Sequence, residues 1–592
     1  MGSISINHRS VIIDLLKGWA IIAVVLYHSS LFTYGYLGVD IFLVIAGYLT
    51  TKTILKQCQD GREFKIGTFL LKRLIRLWPL VLFVCVVTLF LACLWMMPMA
   101  LKNTAETVGG STLFLNNIVQ YITSSNYWDQ SNDFKPLMHT WYLALLFQYY
   151  IFYALLLYVV IRYNNNKKLA IKNTIFILFF ISLFLYITPI INIPQKFYLL
   201  PARLFEFAAG GILVLLELKL WHLTKEKIAI FLLVLIILIL CLNYNLGIEQ
   251  IRLLSVVLIT QILIYYTQTI DNFNSNNLSY RLILLLSYVG IGSYSLYLWH
   301  QVVLGFYRYV FNNPLIWSDY IIIFSICLLL SIISYQLFEK RLTTFLIENN
   351  IIQRYCLLAC CMVSIVLVFC SAYIYKKQGL IRDVPELNLY VGSNKNMSPE
   401  EYNSSNFSFD VDFPENDKKN ALVIGDSFAR DWINILKESH ADSILNISYH
   451  TEADSIISKR IKEADFVFVA NNGDFDVYYP FLREMMKKKF YRVGGKYFTK
   501  RVGIVYNNNR YGIDYYNQSF VPNKELEEII DNERTIFGNS YIEMMSIIMD
   551  NKGNYPHFTP DHHLYSEDGI HLTQPGAKEY AKRLNVWQYL EE

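Results

Sequence analysis

The run IIDLLKGWAIIAVVLYH, residues 12–28, decides what kind of fold this chain can adopt. A membrane-spanning helix needs ~20 mostly apolar residues, and this run nearly supplies them while carrying Asp14, Lys17 and His28. Charges in hydrocarbon are costly and persist where they pair or do chemistry. Lys17 and His28 lie close to three helical turns apart, so they share one stripe, ~16 Å apart along the axis. Asp14 lies near the same stripe. After a short turn, Asp40 enters the next apolar run, GVDIFLVIAGYL, at about the depth expected of His28. A histidine beside a carboxylate is a general base held in one tautomer. The same two residues are also what a polar pair joining two helices would look like.

Further apolar runs follow. Of 592 residues 54% are hydrophobic and only 17% charged, beyond the averages of soluble domains. We count eleven candidate spans, centred near residues 22, 45, 87, 149, 180, 208, 233, 258, 293, 328 and 364. An odd number puts the termini on opposite sides. Lys and Arg crowd alternate loops: Lys52 to Arg76, Arg162 to Lys172, Lys219 to Lys227, and Lys340 to Arg354. The positive-inside rule then makes the N-terminus cytoplasmic and everything after Tyr375 extracytoplasmic. The start of the chain shows no cleavage-site pattern, so its first apolar run is expected to stay as a helix. No basic, aromatic-rich surface points to nucleic acid. The nine cysteines all precede residue 371, most within apolar runs and without metal-site spacing.

After Tyr375 the composition becomes ordinary. Residues 376–419, with NKNMSPEEYNSSN inside, look like a polar linker or extension. From residue 420 strand-like runs (ALVIG, SILNIS, DFVFVA, RVGIVY) alternate with helical ones, the pattern of a parallel sheet between helix layers. In ALVIGDSFARDW, residues 421–432, a strand runs into Gly-Asp-Ser and then a helix, which exposes Ser427 at a sheet edge.

The membrane part resembles the acyltransferase-3 family of membrane acyltransferases over roughly residues 9–345. DLLKGWAIIAVVLYH matches its opening motif of a basic residue, ten residues and a His; GVDIFLVIAGYL resembles the next. LLKRLIRLWPL matches an Arg-x-x-Arg-x-x-Pro segment at Arg73, Arg76 and Pro79. PLMHTWYLALLFQYY, FYLLPARLFEFAAGG, GSYSLYLWH and SYQLFEKR follow in the family's order. The ordered set is specific where each motif alone is weak. Three positions depart from the family: Lys17 replaces the usual Arg, Ala46 the usual Ser, and Leu146, two before Gln148, the usual Glu. A last span over 353–375 follows the family region.

The resemblance implies a cytoplasmic acetyl-CoA donor, no metal, and a hydroxyl-bearing glycan acceptor outside. Lys17, Arg73, Arg76 and Arg203 are the expected cofactor-binding residues, with His28 and Asp40 catalytic. Arg73 and Arg76 either grip CoA phosphates or only anchor the cytoplasmic loop. Arg203 and Glu206, one turn apart, are an ion pair or part of the same channel. His139, Trp141 and His300 fall near the outer face, lining the acceptor side or packing at the interface.

GDSFARDW resembles the first block of SGNH hydrolases, an α/β/α, flavodoxin-like fold, and EDGIHLTQPGAKEYAKRL resembles their last. This implies Ser427 as nucleophile, His571 as base and Asp568 as its orienting carboxylate. Asn471 or Asn472 in FVFVANNGDF would give an oxyanion donor. The second-block Gly has no counterpart in SYHTEAD. In HFTPDHHLYSEDGIH the spacing of His557, Asp561, His562 and His563 fits no standard zinc site. Fused chains of this kind resemble bacterial plasma-membrane O-acetyltransferases. The expected acceptor is an O-antigen, other lipopolysaccharide or capsule, and peptidoglycan comes second. A transporter or glycan-binding membrane protein carrying an exported esterase is the alternative from another class.

Overall fold

The computed structural model describes residues 11–58, 64–123, 132–164, 166–216, 249–267, 278–311, 314–393, 397–471, 475–499, 501–508, 514–522 and 524–590. The chain divides into two compact units. One holds Met1–Ala92, Asn103–Arg308 and Pro314–Tyr373; the other holds Cys93–Lys102, Tyr309–Asn313 and Ile374–Glu592.

The first unit is helical. Among the described residues six helical stretches are long and apolar enough to cross a membrane: Gly35–Gln57, Ile66–Trp95, Met138–Tyr163, Lys167–Ile187, Trp317–Glu348 and Asn350–Lys376. Their outward faces fit lipid rather than water. Helix Lys167–Ile187 exposes Ile177, Phe180, Ile181 and Phe184, each more than half accessible, a patch larger than soluble surfaces tolerate. The elements used below are α1 (Val11–His28), α2 (Gly38–Gln57), α3 (Ile66–Trp95), α4 (Trp141–Tyr163), α5 (Leu200–Leu215), α6 (Leu278–Ile291) and α7 (Ser293–Val310). Without a hydrophobic force between helices in lipid, close backbone approach does the packing. A Cβ on Gly47 of α2 would stand 1.9 Å from the Phe207 carbonyl oxygen of α5, and one on Gly210 of α5 would stand 2.0 Å from that of Val44. Only glycine fits at either place.

The expectation of one span centred near residue 293 is corrected. Two helices, α6 and α7, meet there at Gly292, because Gly-Ile-Gly-Ser interrupts the apolar run where glycine weakens a helix. The candidate near residue 233 lies outside the described residues. Two further helices, Pro98–Thr112 and Asn116–Thr123, occupy sequence too polar to have been counted as spans.

The second unit holds a five-stranded parallel sheet in the order β2-β1-β3-β4-β6. These strands are β1 (Lys419–Gly425), β2 (Leu445–His450), β3 (Phe466–Ala470), β4 (Lys489–Val493) and β6 (Tyr541–Ile542); β5 (Ser519–Phe520) and β7 (Tyr555–Pro556) pair separately. Period two sends alternate side chains to opposite faces. Ala421, Val423, Phe466 and Phe468 join Trp432 and Tyr580 in one core. Leu422, Ile424, Val467 and Val469 join Ile457 and Met485 in the other. Both faces are covered, which is why the strands read as unbroken apolar runs. This is the doubly wound order of flavodoxin-like sheets, with its switch point between β1 and β3.

One sequence expectation fails here. RVGIVY is not a strand: Val502–Asn507 is a helix, and Val502, Val505 and Tyr506, at helical spacing, share a cluster with Phe558 and Leu564. The fourth strand is KFYRV, whose charged residues hid its buried Phe490, Arg492 and Val493. Residues 376–419, expected as a linker or extension, hold helical structure among the described residues. Ser398 caps helix Pro399–Ser404 in a capping box with Glu401. Buried Asn403 and Asn406 then bind the helix that Ser427 begins.

Candidate active site

Three cations of the helical unit meet at one cavity. Lys17 of α1, Arg73 and Arg76 of α3, Tyr294 and Tyr297 of α7 and Glu339 all line it. Positions 73 and 76 share a helical face, as their spacing requires. Arg73 lies 4.9 Å above the Tyr150 ring, and Lys17 pairs with Asp14 at 3.1 Å. Arg73, Arg76 and Glu339 also line an adjoining, more polar cavity with Lys72 and Lys340. Glu339 was not singled out from the sequence, although SYQLFEKR contains it. Its Oε1 accepts from Ser295 N at 3.1 Å and Ser295 Oγ at 2.5 Å, and it sits in a π-helical turn, Tyr335–Leu342, a geometry frequent at functional sites.

Tyr297 connects this cavity to three histidines. Its hydroxyl donates to the His139 carbonyl, and its ring lies 5.0 Å from that of His139 and 5.6 Å from that of His300. The His300 ring is 5.3 Å from that of His28 and 4.9 Å from that of His139.

Asp40 is elsewhere, so the expected His28–Asp40 pair is corrected. Asp40 Oδ1 accepts from Arg203 Nη1 at 2.8 Å, and Glu206 Oε1 accepts from the same nitrogen at 2.7 Å. Arg203 also packs against the rings of Phe197 and Trp141, and it is absent from the residues lining the Lys17 cavity. One guanidinium between two carboxylates is a buried ion trio that joins α2 to α5. Sequence spacing matched the depth of Asp40 to His28 but could not show which way Asp40 faces.

In the α/β unit the turn that leads into Ser427 is built by backbone constraints. Gly425 has φ +136, and a Cβ there would meet the Ala470 carbonyl oxygen at 1.9 Å. Asp426 caps the next helix, α8 (Ser427–Glu438), by accepting from Phe428 N. Ser427 Oγ and His571 Nε2 are 2.8 Å apart, and His571 Nδ1 donates to Asp568 Oδ2. Asp568 Oδ1 accepts from Ile570 N and His571 N, each at 2.8 Å. Packing would raise the Asp568 carboxyl, but the His571 charge and these hydrogen bonds outweigh it and hold it at about 2. The site lies at the switch point of the sheet, where doubly wound folds bind ligands.

Register places Asn471 beside this turn, since Gly425 pairs with Ala470. Arg492 Nη1 donates to Asn471 Oδ1 at 2.7 Å, which fixes the amide's orientation. Asn472 lies outside the described residues. Of the histidine-rich run, His557 stacks near Phe520, His562 near Tyr516, and His563 donates to the Pro385 carbonyl.

These motifs now meet a family comparison. The family model described as an acyltransferase domain, acyltransferase-3, matches residues 11–339, more than half of the chain. The chain belongs to the acyltransferase-3 family. A Staphylococcus aureus (strain COL) protein provisionally named an O-acetyltransferase is 28% identical over 349 residues, 55% of this chain and 56% of its own length. A Bacillus subtilis protein provisionally named a peptidoglycan O-acetyltransferase is 26% identical over 358 residues, 56% of this chain and 54% of that one. The peptidoglycan O-acetyltransferase OatA of Listeria monocytogenes is 32% identical over 163 residues, 27% of this chain and 26% of its own. The matches thus span about half the length of these relatives, or less. No solved structure matches closely enough to count. As an acyltransferase-3 member with several membrane-length helices, the chain is a multi-pass membrane protein. All three departures, Lys17, Ala46 and Leu146, line the cavity of Arg73 and Arg76, and the latter two make its wall apolar where they stand.

Glu567, next to Asp568, has a titration of its own. Burial, with Asp568 and Glu400 nearby, raises the Glu567 carboxyl to about 8 despite the Met99 N–H it accepts at 2.7 Å and the charge of Lys102. The folded state therefore holds a proton that the unfolded chain releases above ~4.3. Stability is lost as pH rises from there to about 8. Glu567→Gln keeps the acceptor and removes the titration, so this variant should be a few kcal/mol more stable than the parent at pH 9 and nearly equal at pH 4.5, at ~1.4 kcal/mol per pKa unit. Thermal unfolding at both pH values tests it; parallel pH dependence in the two proteins would refute it.

Proposed function

We propose that this protein moves an acetyl group from cytoplasmic acetyl-CoA to hydroxyls of a bacterial cell-envelope glycan. The observation that carries the reading is the cavity lined by Lys17, Arg73 and Arg76, whose wall residue Tyr297 packs near His300, the ring next to that of His28. Acetyl-CoA supplies an activated thioester at the end of a long anionic carrier. The donor set fits it: Lys72, Arg73, Arg76 and Lys340 line the polar cavity where phosphates would sit, and the apolar cavity suits the pantetheine arm. Arg203, spent on Asp40 and Glu206, is left out of this set.

In this reading His28 receives the acetyl group, and Ser427 hands it to the glycan outside. His571 Nε2 takes the Ser427 proton as Oγ attacks the acetyl carbon, Asp568 steadies the resulting imidazolium, and the Ser427 N–H with the Asn471 amide binds the oxyanion. Peptidoglycan is the acceptor favoured by the names of the Listeria and Bacillus relatives, ahead of O-antigen, lipopolysaccharide and capsule. Mass spectrometry of the envelope glycans with and without the protein tests this; unchanged O-acetylation of every glycan would refute it.

Arg73→Gln with Arg76→Gln should weaken acetyl-CoA affinity by about 10–100-fold, on the scale of two lost charge-assisted contacts. Lys65 and Lys72 still anchor the loop, so membrane levels should not change. Titration of the detergent-purified full chain measures it; equal affinities would leave these arginines as topology anchors.

A further inference from the structure

We propose that His300 is the base that discharges the acetyl group from His28, an inference that rests on the acetyl-His28 reading above. His300 Nδ1 lies 2.6 Å from the Tyr297 carbonyl oxygen and 3.3 Å from that of Leu296. A carbonyl only accepts, so Nδ1 carries the hydrogen and a neutral ring bears its lone pair on Nε2. That Nε2 is buried and has no hydrogen-bond partner among the described residues. Buried nitrogens are seldom left unpaired unless a ligand or a reaction uses them. The His28 ring lies 5.3 Å away, centre to centre, close enough for proton transfer directly or through one water.

The chemistry balances. His28 attacks the thioester carbonyl through one ring nitrogen and gives up the hydrogen on the other, which leaves with the thiol. An alcohol then approaches acetyl-His28, and its proton moves to His300 Nε2 as its oxygen bonds to the acetyl carbon. The carbon–nitrogen bond to His28 breaks, the electron pair stays on the ring, and His300 returns its proton there. Both histidines end neutral, as they began. A single histidine cannot hold the acetyl group and remove the alcohol's proton at once, which is why a second ring is needed. The alcohol is Ser427 or a glycan hydroxyl; the chemistry at His300 is the same.

The test separates the two half-reactions on the full chain in detergent with acetyl-CoA, reading free thiol by rapid quench and ester product at steady state. His300→Gln, which keeps a donor for the Tyr297 carbonyl, should give the same one-equivalent thiol burst as the parent and a turnover lowered by about 10²–10⁴-fold, the worth of a general base. His300→Asn should behave alike. A merely structural His300 would lose burst and turnover together, and that result overturns the proposal, as does turnover within about threefold of the parent. The His28→Ala arm tests the underlying reading alone: a surviving burst there means that the acetyl group never rests on His28. The Ser427→Ala arm names the alcohol. If it stops after one burst, the alcohol is Ser427; if it turns over with glycan present, the alcohol is the glycan's.

Discussion

Replacing His28 with Ala is expected to end glycan O-acetylation, with protein levels in the membrane unchanged. The expectation follows from position. His28 stands about three turns along α1 from Lys17, which lines the cavity, and its ring meets that of His300 beside Tyr297. No other nucleophile with a neutral ring nitrogen lies on α1. If His28 acted only as a base, its loss would cost about 10²–10⁴-fold; as the carrier, its loss leaves no route at all. Acetyl content of envelope glycans from cells carrying the variant measures this, and normal acetylation would remove His28 from the reaction.

Ser427→Ala should lower delivery to the glycan by about 10⁴-fold or more, the usual cost of losing a triad nucleophile. It should leave acetyl-CoA affinity unchanged, because Lys17, Arg73 and Arg76 belong to the helical unit. The geometry motivates the size: Oγ already sits 2.8 Å from His571 Nε2, and Asp568 is held ionised. Acetyl transfer at the parent rate in this variant would turn the α/β unit into a positioning module and leave the histidines of the helical unit to complete the reaction.

Much of this was legible in the sequence, for identifiable reasons. Apolar length announced most of the membrane helices, and unbroken apolar runs announced β1 and β3, because burial on both sides leaves little room for other residues. Ser427, Asp568 and His571 were legible because tight turns at Gly425 and Gly569 constrain the neighbouring residues. What was not legible depends on direction. Asp40 and Arg203 lie 163 positions apart, and nothing local says that Asp40 turns toward α5 rather than toward His28. The grouping of His28, His139 and His300 is hidden for the same reason. RVGIVY misled because a short apolar run suits strand and helix equally, and its helical spacing shows only once Phe558 and Leu564 supply a partner surface.

The stretch before β1 also bears on how such proteins can be recombined. Asn403 Nδ2 donates to the Ser427 carbonyl at 2.9 Å and to Asp431 at 2.6 Å, while Asp431 also accepts from Leu572 N, next to His571. Val384, Leu387 and Leu389 bury themselves with Val505 and Phe558. A chimera spliced at residue 419, where the first strand invites the cut, would graft a sheet without the amide that holds the Ser427 carbonyl. The workable seam lies upstream of Val384, so an exchange that keeps these contacts must take residues 384–418, some thirty-five of them, along with the sheet.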